Sequence, residues 1–246
     1  MELGQPKEFS AEKQKQVDQW TEKSAAKDVE ILTHIAKIQA PLWEERSKVL
    51  KDVEGFWPDA LFNCLPFVIY MIGEDRPLLK HITDIRVLRD LNEIRNLRLE
   101  FDFSDNAYFS DKTLVKEFVA KKDAPQIGEE FDWVEHLIAK KTTINWKSED
   151  MNLAKKHPSQ TADEDGEFGS LFASFFENDK GDPAPAIGEI IAFTFFPNAI
   201  DYYTGKTSDI DDEDFEEYSE DEEDEDDDRE IDLEEEEARP KKKTKN

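Results

Sequence analysis

The chain has 246 residues, a formal net charge of −28 and one cysteine, Cys64. A single cysteine rules out a disulfide framework within the chain, and no apolar run reaches the length of a membrane-spanning helix. Because the sequence also lacks a secretory signal, we expect a soluble intracellular protein in which Cys64 is a buried, reduced thiol.

The negative charge is concentrated near the C-terminus. Of the 30 residues from 208 to 237, 22 are Asp or Glu, whereas residues 239–245 contain five Arg and Lys. Residues 1–207 therefore carry a net charge of only −12. A segment with so much like charge and so few apolar residues cannot bury enough surface to fold. We predict that residues 205–246 form a disordered acidic tail with a basic end.

Residues 1–9 are predicted to be a flexible leader, followed by one long helix over residues 10–54. From Ile31 onwards its apolar residues recur with a period close to 3.5, which is typical of a coiled coil. Such a helix is about 65 Å long, more than a domain of about 150 residues can bury. We therefore predict a homodimer in which a second copy covers the stripe, with packing on the helix's own domain as the alternative. The predicted dimerisation residues are Ile31, Ile35, Ile38, Leu42, Val49 and Val53.

Two features are expected to interrupt or end this helix. Pro41 lies inside the apolar stripe and lacks a backbone donor, so we expect a kink or a local break there. Gly55 and Pro58 are expected to end the helix and to begin the next one. The apolar stretch 59–73 is broken by Pro66 and predicts two short buried helices, and residues 76–82 predict another.

Residues 55–204 have the pattern of an α+β domain. Alternating apolar residues predict strands at 82–89, 96–103, 112–120 and 142–147. Helical spacing follows at 168–176, 186–195 and 198–203. Residues 149–165 are predicted to be a mobile loop, and 121–141 fits either a hairpin extension or a short helix. The expected architecture is an antiparallel sheet of about four strands with helices packed on one face.

No motif for catalysis or metal binding is present in the sequence. It has no glycine-rich phosphate loop, no HExxH and no cluster of Cys and His, and its four histidines are scattered. The acidic residues 163–166 do not fit a calcium-binding loop, because position twelve of that loop would be Phe172. We therefore expect a binding protein without a catalytic residue, metal or cofactor.

An ordered set of short segments resembles the nucleosome assembly protein family, and within it the SET-type members. The segments are 40–46 (APLWEER), 55–57 (GFW), 103–109 (FSDNAYF), 114–118 (LVKEF), 144–147 (INWK), 172–176 (FASFF), 187–191 (IGEII) and 196–203 (FPNAIDYY), followed by the acidic tail. The resemblance implies a histone chaperone shaped like headphones, in which paired long helices join two α+β earmuff domains. Residues 121–141 are longer than in those relatives and 155–165 are less basic, which puts a DNA contact through that loop in doubt.

The resemblance also implies that core histones bind the acidic underside of the earmuff, helped by the tail. The predicted histone-binding carboxylates in the domain are Glu164, Asp165, Glu167, Glu177, Asp179, Asp182 and Glu189. Those in the tail are Asp211, Asp212, Glu213, Asp214, Glu220, Asp221, Glu222, Glu223 and Asp224. The partner could be the tetramer-forming or the dimer-forming histone pair. The alternative function is a general acidic adaptor or inhibitor of other basic proteins or enzymes.

The basic C-terminal end has the form of a short nuclear-import signal that an import receptor would bind. Its predicted contacts are Lys241, Lys242, Lys243 and Lys245. We expect a nuclear protein, with or without shuttling to the cytoplasm. Direct DNA binding is expected to be weak or absent, since the few lysine pairs would act against the acidic field of the chain.

Overall fold

A long helix, α1, begins the structure and spans Ala11–Leu50. The computed structural model describes residues 7–127, 131–159 and 169–207. Ser10 caps α1 by accepting a hydrogen bond from the backbone N–H of Lys13 at 3.3 Å. With 40 residues, the helix is about 60 Å long. It continues through Pro41 without a break, because one missing donor does not end a helix of this length, and the alternative of a kink there stays a prediction.

The C-terminal part of α1 is attached to the rest of the chain through Arg46. Its Nη1 donates to the backbone carbonyl of Phe196 at 2.6 Å. The guanidinium carbon lies 4.5 Å from the ring centroid of Trp43, 5.5 Å from that of Trp57 and 4.1 Å from that of Phe196. Burial lowers the pKa of Arg46 to about 10, although the charge of Asp84 opposes this. Arg46 is therefore still a cation at neutral pH, held among three aromatic faces.

Three short helices follow a left-handed turn at Gly55, whose φ is 74°. They are α2 (Phe56–Phe62), α3 (Leu65–Val68) and α4 (Asp75–Leu79). Pro66 lies in the first turn of α3, where its missing N–H costs no helical hydrogen bond. The two short helices α2 and α3 agree with the break that the sequence predicted at Pro66. Cys64, between these helices, is buried.

The sheet has four antiparallel strands in chain order: β1 (Ile82–Arg89), β2 (Leu97–Phe103), β3 (Thr113–Ala120) and β4 (Leu137–Ala139). The residues of β2 alternate regularly between the buried face and the opposite face. The opposite face carries a charged ladder in which Arg86 bonds Glu100 and Asp102, and Arg98 bonds Glu100 and Glu117. One face of the sheet is therefore apolar and covered, and the other is polar.

The fourth strand was predicted at 142–147, and this is wrong. The only strand-like pairing in that stretch is an isolated bridge between Phe109 and Trp146. Its apolar residues alternate because Ile144 is buried and Trp146 packs on the Phe109 ring, at 5.8 Å between centroids. The strand lies instead at residues 137–139, where it pairs with the end of β3. The pairing of residues 137–139 with the end of β3 agrees with a hairpin, the first of the two predicted possibilities.

Short helical segments cover the apolar face of the sheet. They are a 3₁₀ turn (Glu149–Met151), α5 (Leu153–Lys156), a π-helical turn (Phe172–Phe176), α6 (Ala184–Glu189), a π-helical segment (Ile190–Phe195) and α7 (Ala199–Thr204). The predicted loop at 149–165 was wrong over α5, whose Leu153 is buried. Aromatic pairs close the core: Phe101 meets Phe176 at 5.2 Å and Phe118 meets Phe175 at 6.2 Å between ring centroids. The predicted α+β class is confirmed.

The packing of α6 on the sheet allows a test of this core. A Cβ at Gly188 would lie 2.5 Å from Cζ of Phe118, a buried ring that is packed against Phe175. We expect Gly188→Ala to lower the free energy of unfolding by about 1–3 kcal/mol in chemical denaturation, despite the better helix propensity of Ala. Gly73→Ala is the control, because a Cβ there would meet nothing within 4 Å. Equal losses in both variants would contradict the packing explanation.

Candidate functional site

Three of the predicted carboxylates lie in one short segment, residues 177–182, which connects the π-helical turn at 172–176 to α6. We call this segment the acidic turn; it carries Glu177, Asp179 and Asp182. Asp179 and Asp182 are exposed. Within the described residues, neither carboxylate takes part in a hydrogen bond or an ion pair. The two groups are therefore available to a cationic partner.

Glu177 differs from its neighbours because it already has partners. It is half-buried, and its Oε1 accepts a hydrogen bond from Nε1 of Trp146 at 3.1 Å. Its Oε2 lies 3.9 Å from Nζ of Lys141. A cationic ligand would have to compete with both groups, so Glu177 contributes more to the shape of the turn than to its free negative charge.

The negative field extends beyond the acidic turn. Burial raises the pKa of Glu189, at the end of α6, and the charge of Asp132 raises it further. Burial likewise raises the pKa of Tyr70, which follows α3, and Asp182 adds to this effect. These two pKa changes place Asp132 and Asp182 close enough to act on groups of other elements. Asp132 therefore disfavours further negative charge at Glu189, and Asp182 disfavours it at Tyr70.

Two side chains fix the backbone of the acidic turn. Nδ2 of Asn178 donates to the carbonyls of Ser174, Gly181 and Asp182 at 3.0, 3.1 and 3.2 Å. Lys116 is 0% exposed and donates from Nζ to further carbonyls around the turn. Sequence reasoning missed Lys116. The signal was present: in a strand of period two, residue 116 falls on the same face as Leu114 and Phe118.

The predicted dimerisation residues all lie on an uncovered side of α1 and the turn after it. Their exposed fractions are 55% for Ile31, 37% for Ile35, 53% for Ile38, 58% for Leu42, 71% for Val49 and 37% for Val53. The domain instead contacts a different side of α1, through Trp43, Arg46, Ser47 and Leu50. The alternative, in which the domain itself covers the stripe, therefore fails for these six residues.

A groove of about 500 Å³ separates α1 from the end of β1. Its walls include Ile35 on the helix and Leu88 on the strand. Arg89 also lines it, with its guanidinium 4.5 Å from the ring centroids of both Trp133 and Phe193. The groove continues the apolar stripe of α1 toward the domain.

The remaining predicted site residues lie outside the described residues. These are Glu164, Asp165 and Glu167, the nine tail carboxylates from Asp211 to Asp224, and the import lysines Lys241, Lys242, Lys243 and Lys245. Across 7–127, 131–159 and 169–207, no group of three or more His, Cys, Asp or Glu side chains could hold a metal ion. Over the same ranges, no helix is long and apolar enough to cross a membrane.

The structure thus joins a long helix with an open apolar stripe to an α+β domain that presents exposed carboxylates. A profile of the nucleosome assembly protein (NAP) family matches residues 8–206. Protein SET of Drosophila melanogaster is 28% identical to this chain over 205 residues, which cover 82% of this chain and 74% of that protein.

Solved structures show the same fold. That of Ccp1 has a TM-score of 0.66 at 22% sequence identity and covers 83% of this chain and 100% of its own. That of the Vps75 histone chaperone has a TM-score of 0.56 at 16% identity and covers 82% of this chain and 100% of its own. This chain belongs to the nucleosome assembly protein family, as the ordered segments between residues 40 and 203 predicted.

The raised pKa of Glu189 allows a test of its interaction with the charge of Asp132. Asp132→Asn removes the neighbouring charge and keeps an acceptor for the backbone N–H groups of Val134 and Glu135. We expect the pKa of Glu189 to fall but to stay above its ordinary value, because burial is the larger cause. Carboxyl ¹³C NMR titration measures it. Glu135→Gln should leave the pKa unchanged; an unchanged pKa in Asp132→Asn would show that the two carboxylates do not interact.

Proposed function

We propose that this protein is a histone chaperone. It binds core histones through the acidic turn and the predicted acidic tail, and it shields them from non-specific DNA contact during nucleosome assembly, disassembly or histone exchange. Family membership supports this proposal, as does the likeness to a solved structure described as a histone chaperone. The observation that carries it is the pair of exposed carboxylates, Asp179 and Asp182, on a turn held by buried hydrogen bonds.

Electrostatics explains why such a surface suits this task. Histones are strongly cationic and bind DNA phosphates without sequence preference, so a chaperone must offer competing negative charge that still lets the histone go. At physiological salt, charges act over about 8 Å, so carboxylates must come close to the histone to matter. A fixed turn provides local complementarity, and a charged tail increases the rate of encounter.

In the described part of the domain, several lysines are paired with carboxylates, which reduces their attraction for DNA. Lys140 and Lys141 lie 3.2 Å and 3.9 Å from carboxylate oxygens of Glu117 and Glu177, and Lys155 pairs with Glu149. We infer that direct DNA binding is weak. The role proposed here is binding rather than catalysis.

We also propose that the protein acts as a homodimer in the nucleus. The exposed stripe supports the dimer, because five large apolar side chains on one side of α1, with Val53 in the turn after it, are rarely left in water. The lysine-rich end at 241–245, outside the described residues, supports binding to an import receptor.

Binding titrations at about 0.15 M salt test the proposed function. The full-length chain and a chain ending at Thr207 are each titrated with both core-histone pairs and with an unrelated basic protein of similar charge. We expect the shorter chain to keep a preference for a histone pair over the basic protein. If truncation abolishes binding, or if the basic protein binds equally well, the protein is instead a general acidic adaptor.

The double variant Asp179→Asn/Asp182→Asn locates the contact within the domain. We expect it to weaken histone binding by the shorter chain about three- to tenfold, because two local charge contacts are lost. The control Glu54→Gln/Asp123→Asn removes the same net charge from exposed positions outside the acidic turn. Equal effects of the two double variants would show that only net charge matters.

The dimer is tested by placing a charge in the stripe. Ile38→Asp would bury a carboxylate between two helices, so we expect a monomer of 28.6 kDa in light scattering where the wild type has about twice that mass. Ala26→Asp places the same residue at an exposed position on the opposite side of α1 and should remain dimeric. A dimeric Ile38→Asp would exclude the stripe as the interface.

A further inference from the structure

Lys116 is a lysine in the middle of β3 whose side chain is 0% exposed. Its Nζ donates to the carbonyl of Lys140 at 2.8 Å, of Phe176 at 3.2 Å and of Asn178 at 2.6 Å. The first carbonyl follows β4, the second ends the π-helical turn at 172–176, and the third lies within the acidic turn. One side chain therefore joins the sheet to the segment that carries the candidate carboxylates.

The geometry matches an ammonium group. An ammonium has three N–H donors and no acceptor, and here three carbonyl oxygens lie around it. The rings of Phe118 and Phe175 lie 5.9 Å and 5.8 Å away and complete the enclosure. An apolar side chain of similar length would fill this space without the cost of burying a charge, but it would leave three carbonyls without this donor.

We propose that Lys116 is the positioning residue of the histone-binding surface: its ammonium holds the backbone of the acidic turn so that Asp179 and Asp182 are presented in one fixed arrangement. This inference rests on the proposed function. Asn178 shares the task from inside the turn, since its side chain bonds the carbonyl of Asp182. Fixing the turn before the histone arrives reduces the ordering cost of binding.

The charge state of Lys116 makes the arrangement sensitive to pH. Burial lowers the pKa of Lys116 to about 7, and the negative charge of Asp179 opposes this. The neighbouring charged side chains are paired elsewhere, Lys140 with Glu117 and Lys141 with Glu177. A neutral amine has two donors, so one of the three carbonyls loses its partner as pH rises through about 7.

Global stability should change in the opposite direction. The pKa is lowered from 10.5 to about 7 on folding, so between these values the unfolded chain binds more protons than the folded one. The free energy of unfolding therefore receives a contribution that increases with pH in this window. As pH rises through this window, the positioning role predicts a looser acidic turn in a more stable protein. A purely structural role would not make these two properties change in opposite directions.

The test compares two full-length variants at pH 6.5. Lys116→Met removes the buried donors. The control, Lys112→Met, removes the same charge from an exposed lysine that directly precedes β3 and is paired with Asp105. On charge alone, both variants are more acidic and should bind histones slightly more tightly. We expect Lys116→Met to bind a core-histone pair about three- to tenfold more weakly instead. Equal affinities of the two variants would overturn the proposal.

The positioning claim can also be tested separately from the proposed function. If the wild type does not prefer histones over an unrelated basic protein, that function is lost, but the positioning claim is still measurable. Backbone amide NMR signals of residues 177–182 should move in Lys116→Met and stay in place in Lys112→Met. Unmoved signals at the acidic turn would contradict the positioning claim without reference to any histone.

If Lys116→Met does not fold, a pH titration of the wild-type protein alone tests the proposal. Between pH 6 and 8.5, the ¹³Cε signal of Lys116 and the amide signals of Gly181 and Asp182 are followed together. We expect them to titrate with one midpoint near 7, and we expect histone affinity to fall about two- to fivefold over this range because one hydrogen bond to the acidic turn is lost. Titration of Lys116 with no change at the acidic turn would refute the proposal.

Discussion

The attachment of α1 at one end is the constraint on which the arrangement of the protein depends. A helix of 40 residues is about 60 Å long and extends well past a domain of this size. The domain holds it through Arg46, whose guanidinium is enclosed by Trp43, Trp57 and Phe196 and bonded to a carbonyl. Removing that cation would leave a buried aromatic pocket and an unpaired carbonyl, and only the contacts of Trp43, Ser47 and Leu50 would still hold the helix.

This constraint explains the open stripe of α1. Ile31, Ile38 and Leu42 are more than half exposed because the helix turns another side to its own domain. A second helix is the partner that matches the length and the period of the stripe.

The negative charge of the chain is of two physical kinds. The acidic turn holds few carboxylates, but buried bonds from Lys116 and Asn178 fix its backbone. The run from 208 to 237, outside the described residues, holds 22 carboxylates. A fixed site favours selectivity, because its geometry can match one partner and not another. A dense polyanion favours affinity and rate for any cation.

Periodicity predicted most of the fold. Strands β1, β2 and β3 begin and end within one residue of the predicted bounds. β2 and β3 bury one face and alternate accordingly, whereas β1 alternates only in part and has a register shift between Ile82 and Asp84. The three-residue β4 was missed, since a strand that short has no period to detect. Thr142–Lys147 alternates for another reason, namely separate contacts of Ile144 and Trp146.

The candidate site was less predictable than the fold. The acidic composition indicated Asp179 and Asp182, but the donors that hold their backbone come from distant positions in the chain. Lys116 lies more than 50 residues before Asn178, and no local pattern links the two. Its position between Leu114 and Phe118 was a usable signal, because a lysine on the apolar face of a strand requires buried acceptors.

Hydrogen–deuterium exchange of the full-length protein, with and without a core-histone pair, tests the central claim most directly. The account predicts that histone binding slows exchange in residues 177–189, whatever happens in the tail. Slower exchange confined to residues 208–246, with 177–189 unchanged, would contradict it and would place histone recognition in the polyanion alone.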